Sequence, residues 1–521
     1  MIRSLSRHLH LLVRFLPAMA LALAATAARA DPADINAASR GVVRVVIVEI
    51  DGDQIVPVSH GTGFAVGAET IVTNAHVVAD ARADSELAIG IVPPEGGNAV
   101  YGRLVSVSPR NDLALLSTTA PMRLPPLTIA TNAPSDIGSV TAVGYPMNVD
   151  RAQGLSIGDI FRAQPPVKST GALAGRRPTR DFDSLLHTAA IARGNSGGPL
   201  LDDCGRVIGV NSFGAESSGA EAEFYFAVSA RELLTFLRAN NVTPQVNGMP
   251  CRSLADLDAE ERARAEREQM VAQARAEANE RALARRRDEE RRNVEFALIA
   301  ERENGLALAL LLLIVALGAG GAAFVLHERG DQQRLKFVAA AGVLALGGAV
   351  LAWALRPGFD EVDGRLEELL HAEMEANDRG PVTASTSGAL VCVLDPERSR
   401  VTGTASADLP LDWQADGCVN GRTQYGLAEG IWRRVFVPDE EEVVSVNTFD
   451  PATREYRVER YLLGRDAMER ARAARGGFTA PACGAGRDAA LELGTQQDTI
   501  LALLPERPNE RIMYRCRTVG R

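Results

Sequence analysis

Three short stretches of the 521-residue chain carry side chains whose types and order suit acyl-transfer chemistry. Ser196 sits in Gly194-Asn195-Ser196-Gly197-Gly198-Pro199-Leu200. A serine hydroxyl is a weak nucleophile. It needs a base, a group that orients the base, and donors for the oxyanion formed when a carbonyl is attacked. Glycines on both sides leave the Ser196 Oγ unobstructed and let the backbone turn, so that the N–H groups of Gly194 and Ser196 can converge on one oxygen. His76, at the end of the apolar run Ile71-Val72-Thr73-Asn74-Ala75-His76-Val77-Val78, is the candidate general base. Asp112, opening Asn111-Asp112-Leu113-Ala114-Leu115-Leu116, can be buried against an imidazole, holding its tautomer and stabilising the imidazolium. Each residue alone has a plain reading as a turn former or a surface group. Together and in this order they form a candidate triad.

The elements that would hold these residues are strands. From Asp31 to about Asn241 short apolar runs, such as Val42 to Ile50, Ile71 to Thr73, Val140 to Val143 and Val207 to Val210, are separated by Gly, Pro, Asn and Asp. That pattern predicts an all-β barrel or sandwich. A helix closes it from Ser229 to Asn240, with Leu233, Leu234, Phe236 and Leu237 on one face.

With His76, Asp112 and Ser196 in this order, the three motifs resemble those of the trypsin-like serine proteases, in particular the periplasmic HtrA-type family. Gly61-Thr62-Gly63-Phe64, Gly144-Tyr145-Pro146 and Ala189-Ala190-Ile191 extend the resemblance, which covers about residues 40 to 240. It implies a fold of two six-stranded β-barrels with the triad in the cleft between them, polypeptide substrates and no cofactor. It also implies that Ser212, Phe213 and Gly214 pair with substrate backbone. Ala190 would then lie near the pocket base, where the lack of an acidic residue suits a small or medium aliphatic side chain. The chain departs from the family in showing no PDZ-like segment after residue 241, and in Thr188, where the family often has Asp. His60 and His187 match no motif and are read as structural.

Beyond this domain, Ser253 and Asp256 form a capping-box pattern, and residues 253–304 are rich in Ala, Glu and Arg without Pro or Gly. A helix of that length would reach roughly 75 Å. Its apolar positions hold no strict heptad, so it reads as a solvated charged stalk. Two uncharged apolar runs follow, 305–326 and 337–355. As helices they would cover about 33 and 28 Å, against a hydrocarbon core of about 30 Å, so a transmembrane hairpin is expected. The link 327–336 carries Arg329, Arg334 and Lys336, which places it in the cytoplasm, although Arg291, Arg292, Arg302 and Arg356 on the other flanks reduce the bias. From 360 to 521 a helical stretch containing His371 and then strand-like runs indicate a small outward-facing α+β domain of unknown function.

Residues 1–30 have the basic start, apolar run and Ala28-Arg29-Ala30 ending of a secretory signal. Removing them lowers the formal charge from -10 to -14. This acidity, without basic clusters interleaved with aromatics, excludes nucleic acid as the main partner. All six cysteines (204, 251, 392, 418, 483 and 516) fall in segments expected outside the cytoplasm, consistent with disulfides. Cys204 and Cys251 can pair within the first domain, and the other four allow three connectivities. No Cys-x-x-Cys spacing supports a metal site. The expected setting is an inner membrane with both large domains on the periplasmic side, homo-oligomerisation being left open. The competing reading is a catalytically silent scaffold or sensor acting through its C-terminal domain.

Overall fold

A computed structural model describes residues 32–52, 54–132, 138–178, 182–215, 223–358, 361–377, 387–404 and 407–519; the candidate signal segment 1–30 lies outside them. The chain divides into two compact units, one formed by Met1–Glu260 with Thr386–Arg521 and the other by Glu261–Ser385.

In the first unit, β1 (Val42–Asp51), β2 (Gln54–Gly67), β3 (Thr70–Thr73), β4 (Leu87–Val92), β5 (Val100–Ser108) and β6 (Leu113–Thr118) close into a barrel of order β1-β2-β3-β6-β5-β4. β-Branched residues dominate these strands, and successive side chains point to opposite faces. Ala114 and Leu116 therefore join Val43, Val45, Ile47, Ile71 and Ile91 inside the barrel. Leu113 and Leu115 instead meet Val42, Phe64 and Val72 on the other face, where they pack against Val143, Leu201, Val207, Val210 and Val228. Continuous apolar runs, rather than alternating ones, result from this burial on both faces.

The partners across that seam belong to a second ring. Its strands are β8 (Gly138–Gly144), β9 (Val167–Arg176), β10 (Ser184–His187), β11 (Pro199–Leu201), β12 (Val207–Gly214) and β13 (Tyr225–Ser229), closed by pairing of β11 with β12. The short strands β7 (Ile129–Ala130) and β14 (Val246–Asn247) extend it in parallel from β12. The expected double barrel is present. Helix Ala230–Ala239 follows, with Ser229 accepting the Glu232 N–H at its N-cap and Leu233 and Leu237 fully buried in the seam. Cys204 pairs with Cys251.

The C-terminal part of this unit is a nine-stranded sheet of order β18-β17-β16-β15-β23-β22-β21-β20-β19. Its strands are β15 (Gly388–Leu394), β16 (Leu409–Trp413), β17 (Cys418–Val419), β18 (Thr423–Gln424), β19 (Gly426–Ala428), β20 (Ile431–Phe436), β21 (Val443–Asp450), β22 (Glu455–Leu462) and β23 (Glu510–Thr518). Helices Arg465–Gly476 and Arg487–Leu501 accompany it, giving the expected α+β character. Trp413, Tyr425, Trp432, Phe449, Tyr456 and Tyr514 form an aromatic core. Of the three open connectivities, the chain adopts Cys392–Cys516, joining directly opposed residues of β15 and β23, and Cys418–Cys483.

This sheet is fastened to the double barrel by buried polar groups. Arg400, 2% exposed, pairs with Asp34 of helix Pro32–Ser39, whose carboxylate also accepts from Asn509 Nδ2 at 2.8 Å. Asn247 Nδ2 donates to the carbonyls of Val401 and Gly403, each at 2.8 Å. A part-buried pair, Arg511 Nη1 with Asp258 at 2.5 Å, ties the same sheet to the chain that follows the barrel.

In the second unit, the stalk and first apolar run belong to one helix, Leu254–Glu328, which begins in the first unit. Ser253 Oγ accepts the Asp256 N–H at 3.1 Å, in keeping with the capping-box reading. The helix passes through Gly305 without a break, since a single glycine costs only about 1 kcal/mol and no proline intervenes. Helices Gln332–Ala354 and Glu361–Asn377 complete this unit. Val294 and Leu298 pack with Val362, and Arg365 pairs with Glu301 at 3.3 Å. The helices Leu254–Glu328 and Gln332–Ala354 each contain a stretch long and apolar enough to cross a membrane, with mean hydropathy 2.6 and 2.1.

Candidate active site

The seam between the barrels opens into a cleft of about 650 Å³ bordered by His60, His76, Asp112, Ser196 and Phe213, among others. His76 enters from the end of β3, Asp112 from the turn before β6, and Ser196 from the turn between β10 and β11. Pairing of β3 with β6 places Thr73 opposite Ala114, which brings the His76 and Asp112 segments together.

Asp112 adopts φ 51°, a left-handed conformation that aspartate tolerates better than most residues. The Asn74 side-chain amide donates to its carbonyl at 2.8 Å and supports this turn. The carboxylate then faces His76 squarely. Oδ1 accepts the His76 backbone N–H at 3.1 Å, and Nδ1 lies 2.9 Å from Oδ2. A carboxylate at that nitrogen favours the tautomer with hydrogen on Nδ1, which leaves Nε2 with a lone pair. Oδ2 also accepts from Ser212 Oγ at 2.5 Å.

Ser196 Oγ donates to the Ser212 carbonyl at 2.9 Å, so in this rotamer the hydroxyl is parked on the backbone of β12. The surrounding backbone is strongly constrained. Gly194 has φ 101° and Gly197 φ 85°. A Cβ on Gly194 would fall 2.2 Å from the Tyr145 carbonyl oxygen, and one on Gly197 2.2 Å from the Thr62 carbonyl oxygen. Only glycine satisfies both the conformation and the space. The Met147 N–H donates to the Arg193 carbonyl at 2.7 Å. In a trans peptide the following N–H points the opposite way, so this bond turns the Gly194 N–H away from Met147. Thr62 Oγ1 donates to the Gly194 carbonyl at 2.7 Å, and the Thr62 N–H donates to the Ser196 carbonyl at 2.9 Å.

Of the other residues read from sequence, Ser212, Phe213 and Gly214 border the cleft at the end of β12. One edge there pairs Phe213 with Phe226 and Gly214 with Tyr225. Phe213 is 44% exposed and stacks on Phe226 with centroids 4.9 Å apart. Ala190, expected near the pocket base, is exposed. Ala189 before it is buried in the second-barrel core, and Ile191 and Ala192 after it line the cleft. Thr188 orders the approach to this turn. Its hydroxyl accepts the Ala172 N–H at 3.0 Å, and its N–H donates to the Ala172 carbonyl at 2.9 Å.

The two histidines read as structural differ. His187 is fully buried, and burial pushes its pKa down to about 4, so it is a neutral core residue. His60 borders the cleft. Its Nε2 lies 3.2 Å from both the Tyr145 carbonyl and Asp150 Oδ2. Sequence reasoning missed this placement, the Ser212 bond to Asp112 and the bracing by Thr62. The available signal was the alternation His60-Gly61-Thr62, which puts both side chains on one face of β2.

Residues 61–210 match the family model of the trypsin-like peptidase domain. Serine protease HTRA2, mitochondrial, of Bos taurus is 34% identical over 200 residues, 37% of this chain and 40% of that protein. A probable periplasmic serine endoprotease DegP-like of Brucella suis biovar 1 (strain 1330) is 32% identical over 175 residues, 33% of this chain and 31% of that protein. The chain thus spans two fifths or less of the length of these curated relatives. Among solved structures, the serine endoprotease from Yersinia pestis matches with TM-score 0.32 and 23% identity, over 40% of this chain and 65% of that one. The chain carries a trypsin-like peptidase domain.

Proposed function

We propose that this chain is a membrane-tethered serine endopeptidase that cleaves periplasmic or membrane-proximal polypeptides through an acyl-enzyme. The observation that carries the reading is the His76–Asp112 pair, at 2.9 Å, sharing one cleft with a glycine-framed Ser196 inside a trypsin-like peptidase domain. Ser196 rotates from the Ser212 carbonyl toward His76, whose Nε2 takes the hydroxyl proton as Oγ attacks the scissile carbonyl. The Gly194 and Ser196 N–H groups stabilise the oxyanion. Collapse of the tetrahedral species expels the amine, which takes the proton from His76. Water, deprotonated by the same imidazole, then releases the acyl group and restores Ser196. Asp112 keeps the imidazole oriented and balances its charge throughout. Backbone pairing along Ser212–Gly214 aligns the peptide, and the apolar rim at Ile191 and Phe213 suits an aliphatic side chain before the scissile bond.

The membrane reading rests on topology. Residues 1–260 and 386–521 belong to one compact unit, which supports their sharing one side of a membrane crossed between them. Two apolar stretches, each long enough to cross, fit the even number of crossings that this reading needs. All six cysteines are oxidised in three disulfides within that unit, which fits an export compartment such as the periplasm. The short basic link at Arg329, Arg334 and Lys336 then faces the cytoplasm.

The test is hydrolysis of a denatured protein by the membrane fraction. Ser196→Ala should reduce turnover on the order of 10⁶-fold and abolish fluorophosphonate labelling. Unchanged turnover would refute the peptidase reading in favour of a silent scaffold.

A further inference from the structure

We propose that His60 is a positioning residue for the oxyanion loop, holding the Tyr145 carbonyl against Gly194 so that the Gly194 N–H stays turned into the cleft. The inference rests on the peptidase reading and extends it to a residue outside the triad. His60 and Thr62, alternate residues of β2, grip one residue from both sides. Thr62 Oγ1 accepts the Tyr145 N–H at 3.0 Å, and His60 Nε2 meets the Tyr145 carbonyl at 3.2 Å. Tyr145 in turn touches the loop. The Cβ position of Gly194 lies 2.2 Å from the Tyr145 oxygen and 3.2 Å from His60 Nε2. Two residues on, Met147 N–H fixes the Arg193 carbonyl at 2.7 Å, which sets the peptide plane carrying the Gly194 N–H. His60, Tyr145, Met147 and Arg193 are therefore mechanically continuous with a donor to the oxyanion.

Both groups within 3.2 Å of His60 Nε2 are acceptors, the Tyr145 carbonyl and Asp150 Oδ2, so that nitrogen carries the hydrogen. Behind it, Arg44 pairs with Asp150 at 2.9 Å and lies over the Tyr145 ring at 4.7 Å. Arg44 thereby offsets the Asp150 charge, and a neutral imidazole completes the cluster. Asp80, Arg193 and the His76–Asp112 pair are the other charged or titratable groups bordering the same cleft. Burial, aided by Arg44, lowers the His60 pKa, while Asp150 and the Tyr145 carbonyl act in the opposite direction. The imidazole is thus a fixed neutral donor whose role is geometric.

Three enzymes distinguish the possibilities: wild type, His60→Phe, which keeps a ring without a donor, and His60→Gln, which restores an N–H. On a peptide substrate, and normalised to fluorophosphonate-titrated sites, His60→Phe should lower kcat about tenfold with KM within about twofold, and His60→Gln should recover to within about threefold of wild type. A wild-type kcat in His60→Phe, or a loss confined to KM, overturns the proposal. ¹⁵N NMR of the wild-type protein gives a readout independent of variant folding: His60 Nε2 should carry hydrogen at pH 7, and a bare Nε2 overturns the proposal equally. Ser196→Ala in parallel separates the two levels. If it retains wild-type turnover, the peptidase reading itself fails; if it is inert while His60→Phe is unimpaired, only the positioning role falls.

Discussion

Ser212 donates its hydroxyl to Asp112 Oδ2 at 2.5 Å, while its own carbonyl accepts the Ser196 hydroxyl at 2.9 Å. One residue at the end of β12 thus reaches both the proposed orienting carboxylate and the proposed nucleophile, through different atoms. Replacing its side chain should affect only the first of these. Ser212→Ala keeps the carbonyl but removes one donor to a charged acceptor, a bond worth about 1.5–3 kcal/mol where it is fully formed. We expect kcat/KM on a peptide substrate to fall by about tenfold, with fluorophosphonate labelling of Ser196 retained but slowed.

Gly194 provides a sharper test of the loop. Its φ of 101° disfavours any L side chain, and a Cβ would meet the Tyr145 carbonyl oxygen at 2.2 Å. Gly194→Ala must therefore move the peptide that carries the proposed oxyanion donor. Loss of one such donor lowers kcat about 10²–10³-fold. Steady-state kinetics should show that loss, with the disulfide-bonded double barrel still folded by circular dichroism.

His187 governs stability rather than chemistry. Burial holds its pKa at about 4, against about 6.5 for an unfolded histidine. Between these values the unfolded chain binds a proton that the native chain refuses, so stability falls as pH drops from about 6.5 to 4. It is fully present above that window. The two pKa values correspond to about 3 kcal/mol over the whole range. Thermal melts of wild type and His187→Phe should diverge in pH slope within this window, the variant being flatter.

The motifs around His76, Asp112 and Ser196 were legible because each is a local string whose glycines and apolar neighbours announce its geometry. The double barrel followed from resemblance. Burial on both faces of β1 and β6 erases the alternation that would mark barrel strands from periodicity alone. What escaped the sequence was pairing across distance: Ser212 with Asp112, separated by 100 residues, and His60 with Tyr145, separated by 85. The tie between the C-terminal sheet and the peptidase domain is also non-local, as Asp34 and Arg400 lie 366 residues apart.

That last tie makes the C-terminal domain part of the peptidase unit, with consequences for stability. Asp34 and Arg400 are each 2% exposed, and Asn509 and the Arg252 carbonyl complete their hydrogen bonds. A buried pair contributes little against an apolar replacement, but removing one partner strands the other charge, at about 3–5 kcal/mol. Arg400→Ala should therefore lower the melting temperature of the unit clearly, with Asp34→Ala behaving alike. The double replacement Asp34→Ala with Arg400→Ala should be milder than the additive sum of these single changes, because neither charge is then left buried alone. Additive losses in this cycle, read by thermal denaturation, would mean the two residues act independently and the sheet is held by its other contacts.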